Sequence, residues 1–516
     1  MSDGRGVIDV ADVIGGAGRD ESAPVSEGGL SEAETFDPVS FWARVQPDRL
    51  ALRMGEERWT YRRLEEAVTQ AAVSLYDQGL VSGEHVSLEF GSEQGLHFAA
   101  SFHALHRAEL LPVPISQSLT ETERVAFRNR AHVDVALTAT PEPAAPSGRK
   151  GRNEKPPLFT RRLDAPAAIL FTSGTEAAPR AVVLTHGNFF WSALASARNL
   201  GVRADDLWLL TLPLHHVGGL SILTRSAYYG TAALIHPRFD PEAVNEAIDR
   251  EGVTLVSLVP PMLERILYAR GARPYPDTLR AALIGGGSSS PELLQRAAEL
   301  GMRALPTYGM TETASQVTTL SPRDWPDGLR TVGRPLPFLD VEVRGPQGPV
   351  LAPDEEGEIY VRGPVVAPAY FEDEQGNKAA FEKRWFRTGD FGAWDRSGRL
   401  SVLDRRLDRI VVGGENVSPA EVEETLKGHP AVADAGVVSF PAGSYGQGVA
   451  AAIVLRPGAK VTLKELREHA GRSLASFKLP RWVSFVDALP RSPTGKLLRR
   501  EVRGWLAEQM TEKNRA

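Results

Sequence analysis

The sequence predicts an α/β fold: a large N-terminal domain of parallel-rich sheets with flanking helices plus a β-rich subdomain, and a small α+β C-terminal domain. Three changes of texture predict it. From Phe36 to about Thr331, short apolar runs alternate with amphipathic stretches, the pattern of βαβ units beneath covering helices. After Thr331 come short β runs: LDVEVRG, GEIYVRG and RLSVL. Near Arg409 a third texture begins, and it lasts about a hundred residues. A chain of 516 residues is also longer than one ordinary core organises.

The elements follow in order. Residues 1–34 are rich in Gly, Ser, Asp and Glu and read as a tail; VIDVADVIGG is too short and interrupted for a signal-peptide core. FWARVQPDRLALR and WTYRRLEEAVTQAAVSLYDQGL give a helix, a short strand and an amphipathic helix. HVSLEF is a strand, LHFAASFHALHRAEL a helix with a closely packing Ala-rich face, and LLPVPI another strand. TPEPAAPSGRKGRNEKPP interrupts with Pro, Gly and charge, as a surface excursion does. The alternation resumes at AAILFTSG and runs through LWLLTLPL, TAALIH, VTLVSLVP and RAALIGGG. In the last region VSPAEVEETLKGHP and LKELREHAGRSLA are helices, while DAGVVSF, GVAAAIVL and RWVSFVDALP supply strands. The boundary falls around LDRRLDR, giving domains at 35–404 and 409–516.

Composition narrows the chemistry. A formal net charge of -6 argues against nucleic-acid or anionic-membrane binding. No run reaches the roughly 18 apolar residues of a membrane helix, so a cytoplasmic protein is expected. The chain has no cysteine, which excludes disulfides, thiolate-bound zinc and a cysteine nucleophile; any thiol must arrive with a substrate. The oligomeric state stays open, a homodimer included.

Four motifs carry candidate chemistry. In LFTSGTEAAPRAVV, Thr172, Ser173 and Thr175 offer hydroxyls around Gly174, a phosphate cradle or a plain loop. In ALPTYGMTETAS, Tyr308, Gly309, Thr311 and Glu312 crowd together. Tyr308 suits stacking on a base and Glu312 a hard cation, or Glu312 simply caps a helix after a strand. In WFRTGDFGAW, Asp390 suits a ribose diol, or a turn beside Gly389. In LPRSPTGKLLRR, Lys496 stands on a Pro/Thr/Gly loop, free to reach elsewhere or merely solvated.

Taken together, the order and spacing of these motifs resemble the adenylate-forming superfamily of acyl-CoA synthetases, aryl-CoA ligases, luciferases and adenylation domains, over about Phe36 to Arg500. The resemblance implies ATP, Mg²⁺ and coenzyme A as cofactors and co-substrates. It implies a phosphate-binding loop at Thr172, Ser173, Gly174, Thr175 and Arg180, and an adenine pocket from Gly285, Gly286, Gly287, Tyr308 and Gly309. Thr311 and Glu312 would meet the α-phosphate and Mg²⁺; Asp390 and Arg405 would hold the ribose. Lys496 would meet the α-phosphate and the substrate carboxylate, and Gly414 would belong to a second-step face with PAGSYGQG. Residues 405–408 become a hinge, with Leu407 at the turning position, and the small C-terminal domain a mobile one. The loop departs from the family pattern at Glu176, Ala177 and Ala181; Ala177 in place of glycine should stiffen it, and Glu176 is expected to point to solvent.

The chemistry so implied is activation of a carboxylate as its adenylate, followed by displacement of AMP by a thiol. Only 20 residues follow Lys496, too few for a carrier-protein domain, so free CoA is the expected acceptor. LPLHHVGGLSILTRSAYYG and TYGMTETASQVTTL are most similar to the o-succinylbenzoate–CoA ligases of menaquinone biosynthesis. That likeness implies a dicarboxylate, with Arg225 gripping the carboxylate that is not activated. Ser315, Gln316 and Thr318 would line the acyl pocket, and His216 match the histidine at its mouth. The rival readings are a medium-chain or aryl acid–CoA ligase, a stand-alone enzyme loading a carrier protein, and a non-catalytic relative.

Overall fold

A computed structural model describes residues 33–119, 121–141, 159–172, 180–287, 289–345, 348–405, 410–412, 415–417, 419–442, 447–474, 476–492, 495 and 497–513. The tail through residue 32 and most of the Pro/Gly-rich excursion (142–158) lie outside them. The described chain divides into two compact units, residues 33–341 with 361–386, and residues 342–360 with 387–513.

The first unit is organised by a nine-stranded sheet. From one edge its strands are Arg334–Pro335, Ser315–Thr319, Ala304–Met310, Ala281–Ile284, Leu255–Leu258, Leu207–Leu210, Ala232–Ile235, Leu50–Met54 and Glu57–Thr60. The six inner strands from Ala304–Met310 to Leu50–Met54 pair in parallel; the outermost pairings are antiparallel. LWLL, AALI, LVSL and AALI are buried at every position, because helices cover both faces of a parallel sheet. The crossover helices start on clear signals. Asp240 caps Pro241–Arg250 through the Ala243 N–H (2.8 Å), and Ser290 caps Pro291–Glu299 through the Leu293 N–H (3.2 Å).

Two smaller sheets complete this unit. His85–Leu88 pairs in parallel with Leu111–Pro114 and Val135–Leu137. Ala181–Thr185 pairs antiparallel with both Pro166–Phe171 and Ala369–Tyr370. A strand at Glu34–Phe36, pairing with Thr160–Arg162, starts two residues before the regular pattern legible in the sequence.

In the second unit, Val432–Pro441, Gln447–Leu455 and Trp482–Phe485 form a sheet with Gln447–Leu455 central. Val422 and Leu426 of helix Pro419–Lys427 and Leu466 of helix Leu463–Ala470 pack on Val437, Val449 and Ile453. Arg499, opening helix Arg499–Lys513, ion-pairs with Glu423 and donates to the Val437 carbonyl (3.1 Å).

A buried ionic cluster secures the start of the first unit. Asp37 caps helix Pro38–Val45 through the Val39 and Ser40 N–H groups, both at 3.0 Å, and pairs with Arg161 and with Arg107 (3.3 Å). Burial raises the Asp37 pKa, but Arg161 and Arg107 outweigh it and hold the carboxyl below its ordinary range. Arg107 also grips both oxygens of Glu65, at 2.8 and 2.9 Å. Three histidines pack around this cluster. His103 and His186 are pushed down to about 3, first by burial and then by Arg161, and His106 is lowered by burial and the neighbouring His186.

These histidines are neutral in the folded chain and ordinary in the unfolded one. Between the ordinary histidine pKa near 6.5 and about 3, only the unfolded chain takes up their protons, so stability falls as pH falls. We expect a loss of about 2 kcal/mol per buried histidine between pH 7 and pH 5 in urea unfolding. His103, whose ring nitrogens have no hydrogen-bond partner among the described residues, gives the control: His103→Leu should flatten the slope.

Candidate active site

The site residues of the first unit gather at one edge of the central sheet, because parallel strands all end there. Leu207–Leu210 runs toward His215 and His216, Ala281–Ile284 into Gly285–Gly287, and Ala304–Met310 into Thr311 and Glu312. Ile284 and Pro306 are register partners, so the glycines and Tyr308 leave neighbouring strands together. A Cβ on Gly285 would lie 2.8 Å from Thr307 Cγ2, so a larger residue would have to push Thr307 on the neighbouring strand aside. This carboxyl edge is where open α/β sheets bind ligands.

Beyond Met310 the chain does not enter a full helix. A single 3-10 turn, Thr311–Thr313, ends in left-handed Ala314 (φ 46°) and Ser315 (φ 103°), and Ser315–Thr319 returns antiparallel to its parent strand. The return is tight: a Cβ on Gly309 would stand 1.5 Å from the Ser315 carbonyl oxygen. Two helices pin this corner. Ser192, on helix His186–Leu200, donates to the Ala314 carbonyl (2.8 Å). Ser221, on helix Val217–Tyr229, bonds the Ser315 hydroxyl (3.3 Å).

Arg225 lies one turn beyond Ser221 and is 2% exposed. Its Nη2 donates to Ser192 Oγ (2.9 Å), whereas Nε has no acceptor and the guanidinium no ion-pair partner among the described residues. Burial lowers its pKa to about 10, which leaves it charged at neutral pH. Gln316 is buried too; its amide N–H donates to Thr319 Oγ1 (2.9 Å) and its oxygen has no described partner. His215 and His216 lie with their ring centres 4.3 Å apart and their planes tilted by 52°. Burial, then His216, brings His215 down to about 3, and burial lowers His216 as well, so both are neutral.

The phosphate-loop motif closes an antiparallel hairpin. Phe171 and Ala181 are register partners; Thr172 N–H donates to the Arg180 carbonyl (2.9 Å) and Arg180 N–H to Thr172 Oγ1 (3.2 Å). Ser173, Gly174, Thr175, Glu176 and Ala177 lie outside the described residues. Next to this clamp stands Tyr370, a residue that sequence reasoning missed. Its hydroxyl donates to Glu312 Oε1 (2.9 Å), and the Arg180 guanidinium carbon sits 5.1 Å from its ring centre. PVVAPAY has no periodic pattern; only its polar ending offered a signal.

In the second unit Asp390 and Arg405 are register partners across the antiparallel strands Trp385–Trp394 and Leu400–Arg405. Asp390 is 4% exposed, and its N–H donates to Thr388 Oγ1 (3.0 Å). Of Arg405 only the backbone is described; Leu407, Gly414 and Lys496 lie outside the described residues. The bridge between Arg491 and Leu497 closes the motif around that lysine position.

Glu312 suits a magnesium ion. Mg²⁺ is usually held by one or two carboxylates with substrate phosphates and water, not by a protein cage. Among the described residues no group of three or more His, Asp or Glu forms such a cage, and Glu312 offers a single carboxylate near Arg180.

The chain matches the family described as AMP-binding enzyme over residues 39–371, and the AMP-binding enzyme C-terminal domain over 421–496. It is 37% identical to a 2-succinylbenzoate–CoA ligase of Bacillus cereus over 476 residues, 91% of this chain and 98% of the relative. It is similar to the o-succinylbenzoate CoA synthetase of Bacillus subtilis solved with its acyl-adenylate intermediate. There the TM-score is 0.83 and the identity 34%, over 91% of this chain and 98% of that one. The same enzyme solved with ATP and a magnesium ion gives a TM-score of 0.83 and 33% identity, over 91% of this chain and 100% of that one.

Gly309→Ala tests the tight return. Its methyl would force the hairpin open, so we expect about 3 kcal/mol lost in thermal unfolding. An unchanged melt would show that the corner relaxes freely.

Proposed function

The chain belongs to the AMP-binding enzyme family, and on that premise we propose that it is an o-succinylbenzoate–CoA ligase of menaquinone biosynthesis. Its reaction has two halves. The acid's carboxylate attacks the α-phosphate of ATP, giving an acyl-adenylate and pyrophosphate; the CoA thiol then displaces AMP and leaves a thioester. The observation that carries the choice of acid is likeness to the 2-succinylbenzoate–CoA ligase over 98% of its length. Arg225 is the physical counterpart, a buried cation whose Nε has no acceptor among the described residues, of the kind that grips a carboxylate.

The residues divide the work. Thr172, Ser173, Gly174, Thr175 and Arg180 take the outer phosphates, Gly285–Gly287 and Tyr308 the base, and Asp390 with Arg405 the ribose. Glu312 holds the magnesium, which when bound neutralises charge where two anions must meet. Thr311 and Lys496 face the α-phosphate; His216, Arg225, Ser315 and Gln316 receive the acid. Residues 405–408 form the hinge on which the domain 409–516 turns between the half-reactions. Among the described residues no helix is long and apolar enough to cross a membrane. We place the enzyme in the cytoplasm, where ATP and CoA are supplied.

An ATP–pyrophosphate exchange panel tests the reading. Exchange should be stimulated most by o-succinylbenzoate; stimulation by benzoate or octanoate alone would replace it with the aryl or medium-chain ligase. Arg225→Ala tests the carboxylate grip. We expect the KM for o-succinylbenzoate to rise about tenfold or more, with the KM for ATP little changed. A fall in kcat at unchanged KM would instead assign Arg225 to holding the Ala314 corner through Ser192.

A further inference from the structure

We propose that Tyr370 is a positioning residue for nucleotide activation: its hydroxyl fixes Glu312 as a one-oxygen ligand for the magnesium of ATP, and its ring seats Arg180 at the end of the phosphate loop. The proposal rests on the reading of Glu312 given above. Glu312 and Tyr370 are 58 residues apart in sequence, and the hydrogen bond between them spans the turn after Met310 and the strand beside the loop.

The backbone around Tyr370 is held from several sides, so the contact is built and not incidental. Ala369 and Tyr370 pair with Val183 and Val182, on the strand that leaves the loop clamp. Tyr370 N–H donates to Asn377 Oδ1 (2.6 Å), and Asn377 Nδ2 donates back to the Tyr370 carbonyl (2.9 Å). The segment just before it is tied to the same motif, since Ala367 N–H donates to the Glu312 carbonyl (2.8 Å). Asn188 fixes that segment further, donating to the Pro364 and Val366 carbonyls at 2.9 and 3.0 Å. Glu312 is therefore held at its backbone by Ala367 and at its carboxylate by Tyr370, three residues later.

The chemistry follows from the donor and the acceptor. A phenol O–H bonded to one carboxylate oxygen stabilises the ionised carboxylate and sets its plane. A phenol O–H facing a carboxylate oxygen at 2.9 Å is the donor of the pair, since a carboxylate can only accept. The proposal assigns the second carboxylate oxygen to the cation. On the ring face, the Arg180 guanidinium is attracted at 5.1 Å, and Asp373 stands 3.8 Å from its Nε. One side chain thus couples the position of the cation's ligand to that of the loop's positive charge.

Calorimetric titration of the whole chain with ATP, in magnesium and in EDTA, tests this without catalysis. Tyr370→Phe keeps the ring and removes the hydroxyl. We expect its affinity for ATP in magnesium to fall about tenfold and its affinity in EDTA to change less than twofold. Tyr370→Leu should weaken ATP binding in both solutions, because the face for Arg180 goes too. In the Glu312→Gln background, Tyr370→Phe should add less than twofold, since the two act as one unit. Loss of equal size in magnesium and EDTA for Tyr370→Phe, or full additivity with Glu312→Gln, would overturn the proposal. Wild-type protein that binds ATP no better with magnesium would overturn the role of Glu312 itself. A wild-type preference for magnesium kept intact in Tyr370→Phe would remove Tyr370 alone.

Discussion

Six parallel strands buried between helices leave the larger unit one place for polar chemistry, the edge where the strands end. Neighbouring strands pair backbone to backbone, and side chains such as LWLL and AALI are apolar because both faces are dry. The histidine pair, the glycine turn and the Thr311–Glu312 turn therefore come from distant parts of the chain and still meet one edge. Their positions depend on strand register more than on any contact among themselves.

Register alone does not aim a carboxylate. After Met310 the chain must reverse within a few residues, and it does so by placing Ala314 and Ser315 at positive φ, a conformation that side chains resist. The reversal is stabilised by the absent side chain of Gly309 and by hydroxyls from two helices. Arg225 sits behind one of those hydroxyls. Arg225, Ser315 and the Thr311–Glu312 turn thus share a support, and a change made at one is felt by the others.

Much of this was legible in the sequence, for stated physical reasons. Strands covered on both faces write themselves as continuous apolar runs, and the helices announce themselves with caps such as Asp240 and Ser290. The motifs were visible because nucleotide chemistry needs glycines, hydroxyls and a carboxylate close together. What stayed hidden depends on pairings over long separations. Nothing in HALHR signals that His106 will meet Arg161, 55 residues on. Ser192 and Ser221 read as ordinary helix serines until the corner they hold is seen. ALPTYGMTETAS left open whether a full helix follows the strand, and only the path of the return strand shows a single 3-10 turn in its place. Tyr370 had only a faint local signal, the polar ending of PVVAPAY, since its contacts come from partners that the strand beside the loop brings to it.

The clamp of Thr172 and Arg180 carries a consequence for how this loop diversifies. The strand register at Phe171 and Ala181 is closed by two hydrogen bonds at the base, neither of which uses a side chain from residues 173–179. Only the Thr172 hydroxyl is written into it. A substitution at Thr172 therefore costs the clamp one of its two bonds, whereas the other runs backbone to backbone and outlasts a change of side chain at 172 or 180.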